Sequence, residues 1–418
     1  MIELFPDSAE VRGGELWLGG VPASRLADEH GTPLLVYCGR TLRARAEEIR
    51  RAAPDAVVAF GSKAFPNVAV LRVLAEAGIG ADVASPGELA FARAAGLTGP
   101  RLVVHGNNKP DELLREAARA QAVVVLDGED EAARAAAAGV RSVLVRVTLG
   151  VEADTHEAIR TGHHGSKFGL PPARAKALVQ EALERGLDMA GLHAHVGSQL
   201  AGASPYGETV ERLAALAAEL REDLRWTPRI VDAGGGFPVR HVLAEPAYRL
   251  GALASEVVGA VRRAWHERGL PQPVVYLEPG RALVGQAGVT LYRVGSVKRL
   301  AGVTWVAVDG GMSDNPRPAL YDARYTALSA LRVAEPAEEA VSVAGLHCES
   351  GDVLIDDVLL PAPRRGDLLA VPATGAYTLA MSSNYNGVPR PAAVLVVDGE
   401  ARLIRRRETI ADLLALEA

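Results

Sequence analysis

Only five lysines occur in the 418 residues, Lys63, Lys109, Lys167, Lys176 and Lys298, so a chain that used lysine as an imine-forming nucleophile would have few to choose from. Lys63 stands out by its place. It closes the β-branched run 56–63 and is followed by Ala64-Phe65-Pro66-Asn67, where a strand would end and a buried mouth begin. An ammonium held there would be desolvated and its pKa lowered, as an amine that attacks a carbonyl requires. A solvated surface lysine is the ordinary alternative, and position alone leaves both open.

Three further segments carry residue types suited to the same chemistry. Asp232-Ala233-Gly234-Gly235-Gly236-Phe237-Pro238 sets three glycines in a row, which lets backbone N–H groups wrap an anion without interference from Cβ; a tight turn would look the same. In Leu277-Glu278-Pro279-Gly280-Arg281, Glu278 facing a pyridine nitrogen would keep that nitrogen protonated, and Arg281 would reach a phosphate. A structural Glu–Arg salt bridge is the alternative. In His193-Ala194-His195-Val196-Gly197-Ser198, two histidines at i and i+2 share one strand face, the spacing of a metal pair. No HExxH and no third ligand accompanies them, so no metal is expected. A ring-stacking His195 followed by a phosphate-binding Ser198 is the better reading, with His193 a hydrogen-bonded structural residue. The C-terminal half adds 309–312, 315–321, 347–352 and 375–377, which bring Arg317, Tyr321, Cys348, Glu349 and Tyr377. A guanidinium fork, phenols and a carboxylate suit recognition of a carboxylate and an amine.

The elements that must position these residues alternate. Between 56 and 280, β-branched runs at 56–63, 80–85, 101–106, 122–128, 142–150, 191–197, 229–236 and 273–280 are separated by amphipathic stretches such as 42–53 and 206–224. Eight βα units predict a closed α/β (β/α)8 TIM barrel. The GxGxxG turn of an open dinucleotide-binding sheet is absent. In such a barrel the strand C-termini form the active face, and the loops after the seventh and eighth strands are the usual phosphate site. Those loops here hold the glycine triplet and Glu278–Arg281. After residue 281 strand-like runs lose their helical partners, which predicts an antiparallel β domain. The expected division is 1–34, a strand segment that packs with the β domain; 35–281, the cofactor-binding barrel; and 282–418, the C-terminal β domain.

Composition narrows the function classes. A net charge of −6 without a basic block argues against nucleic acid as a partner. The cysteines, Cys38 and Cys348, lie far apart with no CxxC spacing, so neither a disulfide framework nor a zinc knuckle is indicated. No apolar run reaches bilayer length and the first residues lack a secretory signal pattern, which excludes a membrane and leads us to expect a cytoplasmic location.

Taken in order, Ser62-Lys63-Ala64, 82–89, Ser166-Lys167-Phe168-Gly169, His195-Val196-Gly197-Ser198, the glycine triplet, 278–281, 348–352 and 375–377 resemble the fold-type-III pyridoxal-phosphate (PLP) decarboxylases, which share the alanine racemase-like fold. The resemblance runs over nearly the whole chain and is strongest to the diaminopimelate-decarboxylating branch. It implies that Lys63 carries the cofactor as an imine, that His195 stacks on its ring and that Glu278 pairs with the ring nitrogen. Ser198, Gly234, Gly235, Gly236, Arg281 and Tyr377 would hold it mainly through the phosphate, with Asp82, Glu88 and Arg146 nearby. Arg281, Arg317, Tyr321, Glu349 and Tyr377 would bind the substrate, and Cys348 would return a proton to the carbanion. Cys348 and Glu349 would come from the neighbouring subunit, which implies a homodimer with shared active sites.

The implied reaction is decarboxylation of meso-2,6-diaminopimelate to L-lysine and CO2, a carboxy-lyase step that ends lysine biosynthesis. The alternative is a same-fold decarboxylase of ornithine, arginine, carboxynorspermidine or a specialised-metabolism precursor. Cys348-Glu349 argues against the basic amino-acid decarboxylases, in which Asp typically follows the cysteine. An alanine-racemase-like activity would need a catalytic tyrosine as second base, and a non-catalytic regulator of the same fold would not need Lys63, Glu278 and Cys348. One departure stands out: Thr148-Leu149 replaces the usual Asn-Pro, which bears on the shape of that loop.

Overall fold

The computed structural model describes residues 1–151, 165–200 and 202–417. They fall into two compact units, one comprising 45–238 and 248–282, the other 1–44, 239–247 and 283–418.

The first unit is a closed barrel of eight parallel strands in sequence order. They are β1 (Val57–Gly61), β2 (Gly80–Val83), β3 (Leu102–Val104), β4 (Val123–Leu126), β5 (Ser142–Arg146), β6 (Asp188–His193), β7 (Ile230–Asp232) and β8 (Val274–Leu277). β8 returns to β1 through Tyr276↔Val57 and Leu277↔Val58. The strands are apolar at nearly every position, because a parallel sheet under helices is buried on both faces. Ala59, Val103, Val123, Val125, Leu144, Ala190 and Tyr276 form one packed cluster. Local chemistry starts the helices. Asn67 caps Val68–Glu76 by accepting from the N–H groups of Ala69 and Val70. Ser85 accepts from the Glu88 N–H while Glu88 reaches back to the Ala84 N–H, and Pro86 presets the first turn of Pro86–Ala94.

The spine of the second unit is the long strand Gly288–Leu300, paired antiparallel with Leu34–Cys38, Leu368–Val371 and Val303–Val308. Two pairings are parallel: Leu34–Cys38 with Ala392–Val397, and Val303–Val308 with Glu339–Ala344. The domain is therefore mixed, not purely antiparallel as expected. The boundary after residue 34 also moves. Leu34–Cys38 is buried at all five positions and lies inside this sheet, so it belongs to the β unit and not to the barrel; a short, wholly apolar run fits either architecture by pattern. The N-terminal strands Ala9–Arg12, Glu15–Leu18 and Val21–Pro22 form a small antiparallel sheet of their own. It puts Leu16, Leu18 and Val21 into a core shared with Leu34, Val36, Leu291 and Val394. No helix among the described residues is long and apolar enough to cross a membrane.

Candidate active site

β1 ends at Gly61, and one turn of 3-10 helix, Ser62–Ala64, follows. Neighbours in such a turn point a third of a turn apart. Ser62 faces inward and donates its hydroxyl to the Asp82 carbonyl at 2.7 Å, Ala64 is buried, and Lys63 between them is exposed. The expected burial of Lys63 is thus corrected: the residue is exposed at the strand end. Its charge reaches the carboxyls of Asp82 and Glu88 and the ring of His195.

Four buried groups converge from four strand ends. The donor atoms of His105, His193, Asp232 and Glu278 all lie within 4.8 Å of one another. His105 Nε2 is 2.6 Å from Glu278 Oε1 and 3.8 Å from Asp82 Oδ1. His193 Nε2 stands 3.4 Å from Glu278 Oε2, off the line for a hydrogen bond, so neither ring nitrogen of His193 is hydrogen-bonded. Burial alone would neutralise every member. The charge and hydrogen bond of His105 overcome that burial and hold Glu278 well below the usual carboxylate range. His105 is raised in turn, burial being outweighed by Glu278 and Asp82. Burial takes His193 down to about 3, and burial with the field of Glu278 drives Asp232 well above its ordinary value. Burial, opposed by His105, brings Asp82 to about 6. The contact at 2.6 Å joins His105 and Glu278 into an ion pair, and the four groups form one buried acid–base network. His193, expected to be a hydrogen-bonded structural residue, instead has His105, Asp232 and Glu278 as close neighbours without a hydrogen bond, and His195 is not among them, because β6 stops at His193 and the i, i+2 alternation ends with it.

His195 belongs to the glycine cradle. Its Nδ1 accepts from the Gly235 N–H at 3.1 Å, and Asp232 Oδ1 accepts from the Gly234 N–H at 2.8 Å. Two of the three amides expected to wrap an anion are therefore committed within the protein; the Gly236 N–H has no partner among the described residues. The glycines are required by packing. A Cβ on Gly235 would stand 2.2 Å from the Glu278 carbonyl, and one on Gly236 2.4 Å from that of Gly197. Burial, then the charges of Lys63 and Arg146, keep His195 neutral. Buried Arg281 donates to Ser198 Oγ at 3.3 Å, so two expected phosphate ligands already meet.

Arg146, at the end of β5, stacks on Phe168 at 4.5 Å and lies 3.7 Å from Asp127. Asp127 accepts from the Gly169 N–H at 2.8 Å, and Glu131 accepts from the Asp127 N–H at 2.7 Å. Glu131 pairs with Lys109, which is 1% exposed. Just after β5, the Thr148 N–H donates to Leu170 O at 2.8 Å and its hydroxyl donates to Phe168 O at 2.5 Å.

In the β unit, Arg317 and Tyr321 sit one turn apart on the short helix Arg317–Tyr321. Arg317 is buried; it donates to the Tyr325 hydroxyl, lies 3.0 Å from His241 Nε2, and its Nε has no partner. Cys348 and Glu349 are exposed. Their loop is built on Asp352, which accepts from the N–H groups of Met312 at 2.6 Å and His347 at 2.9 Å, while Asn386 Oδ1 accepts from Cys348 N–H at 3.1 Å. Tyr377 takes φ +59°, two residues after the crowded Gly375, whose Cβ would meet Val284 O at 1.9 Å. Asp309 is structural: it accepts from Thr32 and from the Arg293 N–H. Sequence reasoning missed His105, His241 and Tyr325. His105 had a signal, a polar residue ending the third apolar run.

Residues 40–285 match the pyridoxal-binding domain of the pyridoxal-dependent decarboxylases. The chain is 46% identical to a diaminopimelate decarboxylase of Actinosynnema pretiosum, covering 99% of this chain and 95% of that protein. It is 41% identical to the one of Bacillus subtilis, covering 99% and 98%. A crystal structure of diaminopimelate decarboxylase from M. jannaschii in complex with L-lysine superposes with TM-score 0.92 at 32% identity, over 99% and 98% of the two chains.

Proposed function

Because this chain belongs to the pyridoxal-dependent decarboxylases, in their diaminopimelate decarboxylase branch, we propose that the residues gathered at its strand ends serve that reaction in a cytoplasmic homodimer. The enzyme is a PLP-dependent carboxy-lyase that converts meso-2,6-diaminopimelate to L-lysine and CO2. The observation that carries the assignment of the site is Glu278: a fully buried carboxylate kept ionised by its neighbours is what a protonated ring nitrogen needs opposite it.

The residues present fit the cofactor. Arg281 with Ser198 and the Gly236 N–H suit a phosphate, the glycines leave room beside the His195 ring, and an exposed lysine stands at the end of β1. When bound, PLP supplies the electron sink for the pair left behind by the departing carboxylate. Lys63 would hold it through its amine, neutral His195 would cover one face of the ring, and Glu278 would pair with the ring nitrogen. Asp82 and Glu88 would stand as carboxylate neighbours of the Lys63 amine. Arg146, stacked on Phe168, would line the same mouth.

Arg317, Tyr321 and Glu349 would bind the far end of the substrate, with Arg281 and Tyr377 beside it, and Cys348 would deliver the proton to Cα. The exposure of Cys348 and Glu349 on the β unit supports their reaching the site of a neighbouring subunit. The direct test is incubation of the purified protein with PLP and meso-diaminopimelate. Lysine and CO2 in equal amounts are expected; absence of lysine, or faster turnover of ornithine or arginine, would refute it.

A further inference from the structure

The pair His105–Glu278 goes beyond the cofactor contacts above and rests on the reading of Glu278 as the ring-nitrogen partner. A carboxylate on a strand end can rotate, and in a buried site it can also take up a proton and fall silent. Glu278 is restrained against both. His105, from the end of β3, reaches across to Oε1 at 2.6 Å. Its own backbone is tied down, its N–H donating to Val83 O at 2.8 Å. Its ring is set edge to face against His193 with centroids 4.7 Å apart at 63°, so the imidazole has no freedom to swing away.

We propose that His105 is a positioning residue that acts through Glu278, holding Oε1 so that the carboxylate stays ionised and Oε2 is the oxygen left for the cofactor. Every charged or titratable group facing His105 fits this division of labour. Asp82 from β2 lies 3.8 Å away and adds negative charge. Arg146 from β5 opposes it with positive charge. His193 from β6, kept neutral by burial, stands beside Oε2 without a hydrogen bond, and Asp232 from β7, pushed up by burial and by the field of Glu278, makes no hydrogen bond through its Oδ2, so among these groups His105 holds Oε1. Of the two histidines beside Glu278, His105 hydrogen-bonds it at 2.6 Å, while His193, 3.4 Å from Oε2, is off the line for a hydrogen bond.

The test uses His105→Gln, which keeps an N–H donor but no charge, and His105→Leu, which keeps neither. In the cofactor-free protein, histidine-selective 15N NMR should show His105 protonated at pH 7 and neutral in Glu278→Gln. In the loaded protein, PLP affinity in His105→Leu should fall at least about tenfold, the value of one charge-assisted hydrogen bond, while His105→Gln should lose under about threefold. The absorbance of bound PLP should also change with pH in the Leu variant and not in the Gln variant. A neutral His105 at pH 7 in the unmutated protein, or unchanged PLP affinity in a folded His105→Leu protein, overturns the proposal. Should His105→Leu not fold, equal loss of affinity in His105→Gln and Glu278→Gln overturns it. Failure of the unmutated protein to bind PLP at all would instead overturn the cofactor reading, while the NMR arm would still report on the pair.

Discussion

Replacing Lys109 by Met removes one half of a buried ion pair under the barrel mouth. Lys109 Nζ lies 2.7 Å from Glu131 Oε2 and 2.7 Å from the Gly106 carbonyl. Glu131 is 2% exposed; its Oε2 also accepts from the Asp127 N–H, and its Oε1 has no partner. Without the ammonium, the carboxylate would be buried against a single N–H, which costs about 3–5 kcal/mol when one partner of such a pair is deleted. Protonation caps that cost. Protonating a carboxyl of ordinary pKa about 4.3 at pH 7 takes about 2.7 × 1.36, or about 3.7 kcal/mol, so the loss at pH 7 should be about 3–4 kcal/mol. The sign follows from proton linkage: a carboxylate left buried without its cation is disfavoured in its charged form, so the variant's folded state takes up a proton that the unfolded chain has released, and its stability falls as pH rises. The gap to the unmutated protein should therefore widen by up to about 1.4 kcal/mol per pH unit from pH 5 to 7. The double variant Lys109→Met/Glu131→Gln, neutral and able to accept the Asp127 N–H, should recover most of the loss. Urea unfolding in a Trp17→Phe/Trp305→Phe background would follow the barrel through Trp226 and Trp265, the latter fully buried. A loss below about 1 kcal/mol that does not vary with pH, or a double variant as unstable as the sum of the singles, would refute the reasoning.

Three further outcomes are expected. Arg317→Ala should reduce kcat/KM for diaminopimelate much more than for ornithine; a guanidinium with an unpartnered Nε and no substrate carboxylate costs about 3–5 kcal/mol, so the unmutated enzyme should discriminate at least about a hundredfold, and comparable kcat/KM for both substrates would contradict this. Mixed inactive Lys63→Ala and Cys348→Ala chains should regain activity through heterodimers with one intact site, and demonstrated subunit exchange without activity would exclude shared sites. Burial lifts the Asp314 carboxyl from 3.8 to about 7, so the folded protein holds a proton the unfolded chain has released, and this group's contribution to stability should decline from pH 4 to pH 7. Thermal melting of Asp314→Asn across that range should show a flatter dependence; an unchanged slope would count against it.

The barrel was legible because each of its strands is a short apolar run ending in polar or glycine residues, and parallel strands have no polar face to blur the pattern. That placed Lys63, His195, the glycine triplet and Glu278 at strand ends without coordinates. The misreadings have local causes. Lys63 faces solvent because a single 3-10 turn follows β1, and Ser62-Lys63-Ala64 carries no mark of it. The shared strand face expected for His193 and His195 fails because the alternation ends at His193, where β6 stops. His105 was passed over because nothing in sequence joins it to Glu278, 173 residues away; only barrel closure brings β3 and β8 to the same mouth. Leu34–Cys38 was assigned to the wrong side of a boundary because five buried residues in a row serve a barrel or a mixed sheet equally well.

The most direct measurement is the covalent position of the cofactor. The protein would be loaded with PLP, reduced with borohydride and digested, and the pyridoxyl-bearing peptide sequenced. A single label on Lys63 is predicted; a label on Lys167 or any other lysine, or no label on protein that has taken up PLP, would contradict the assignment of the strand-end lysine as the residue on which the site is built.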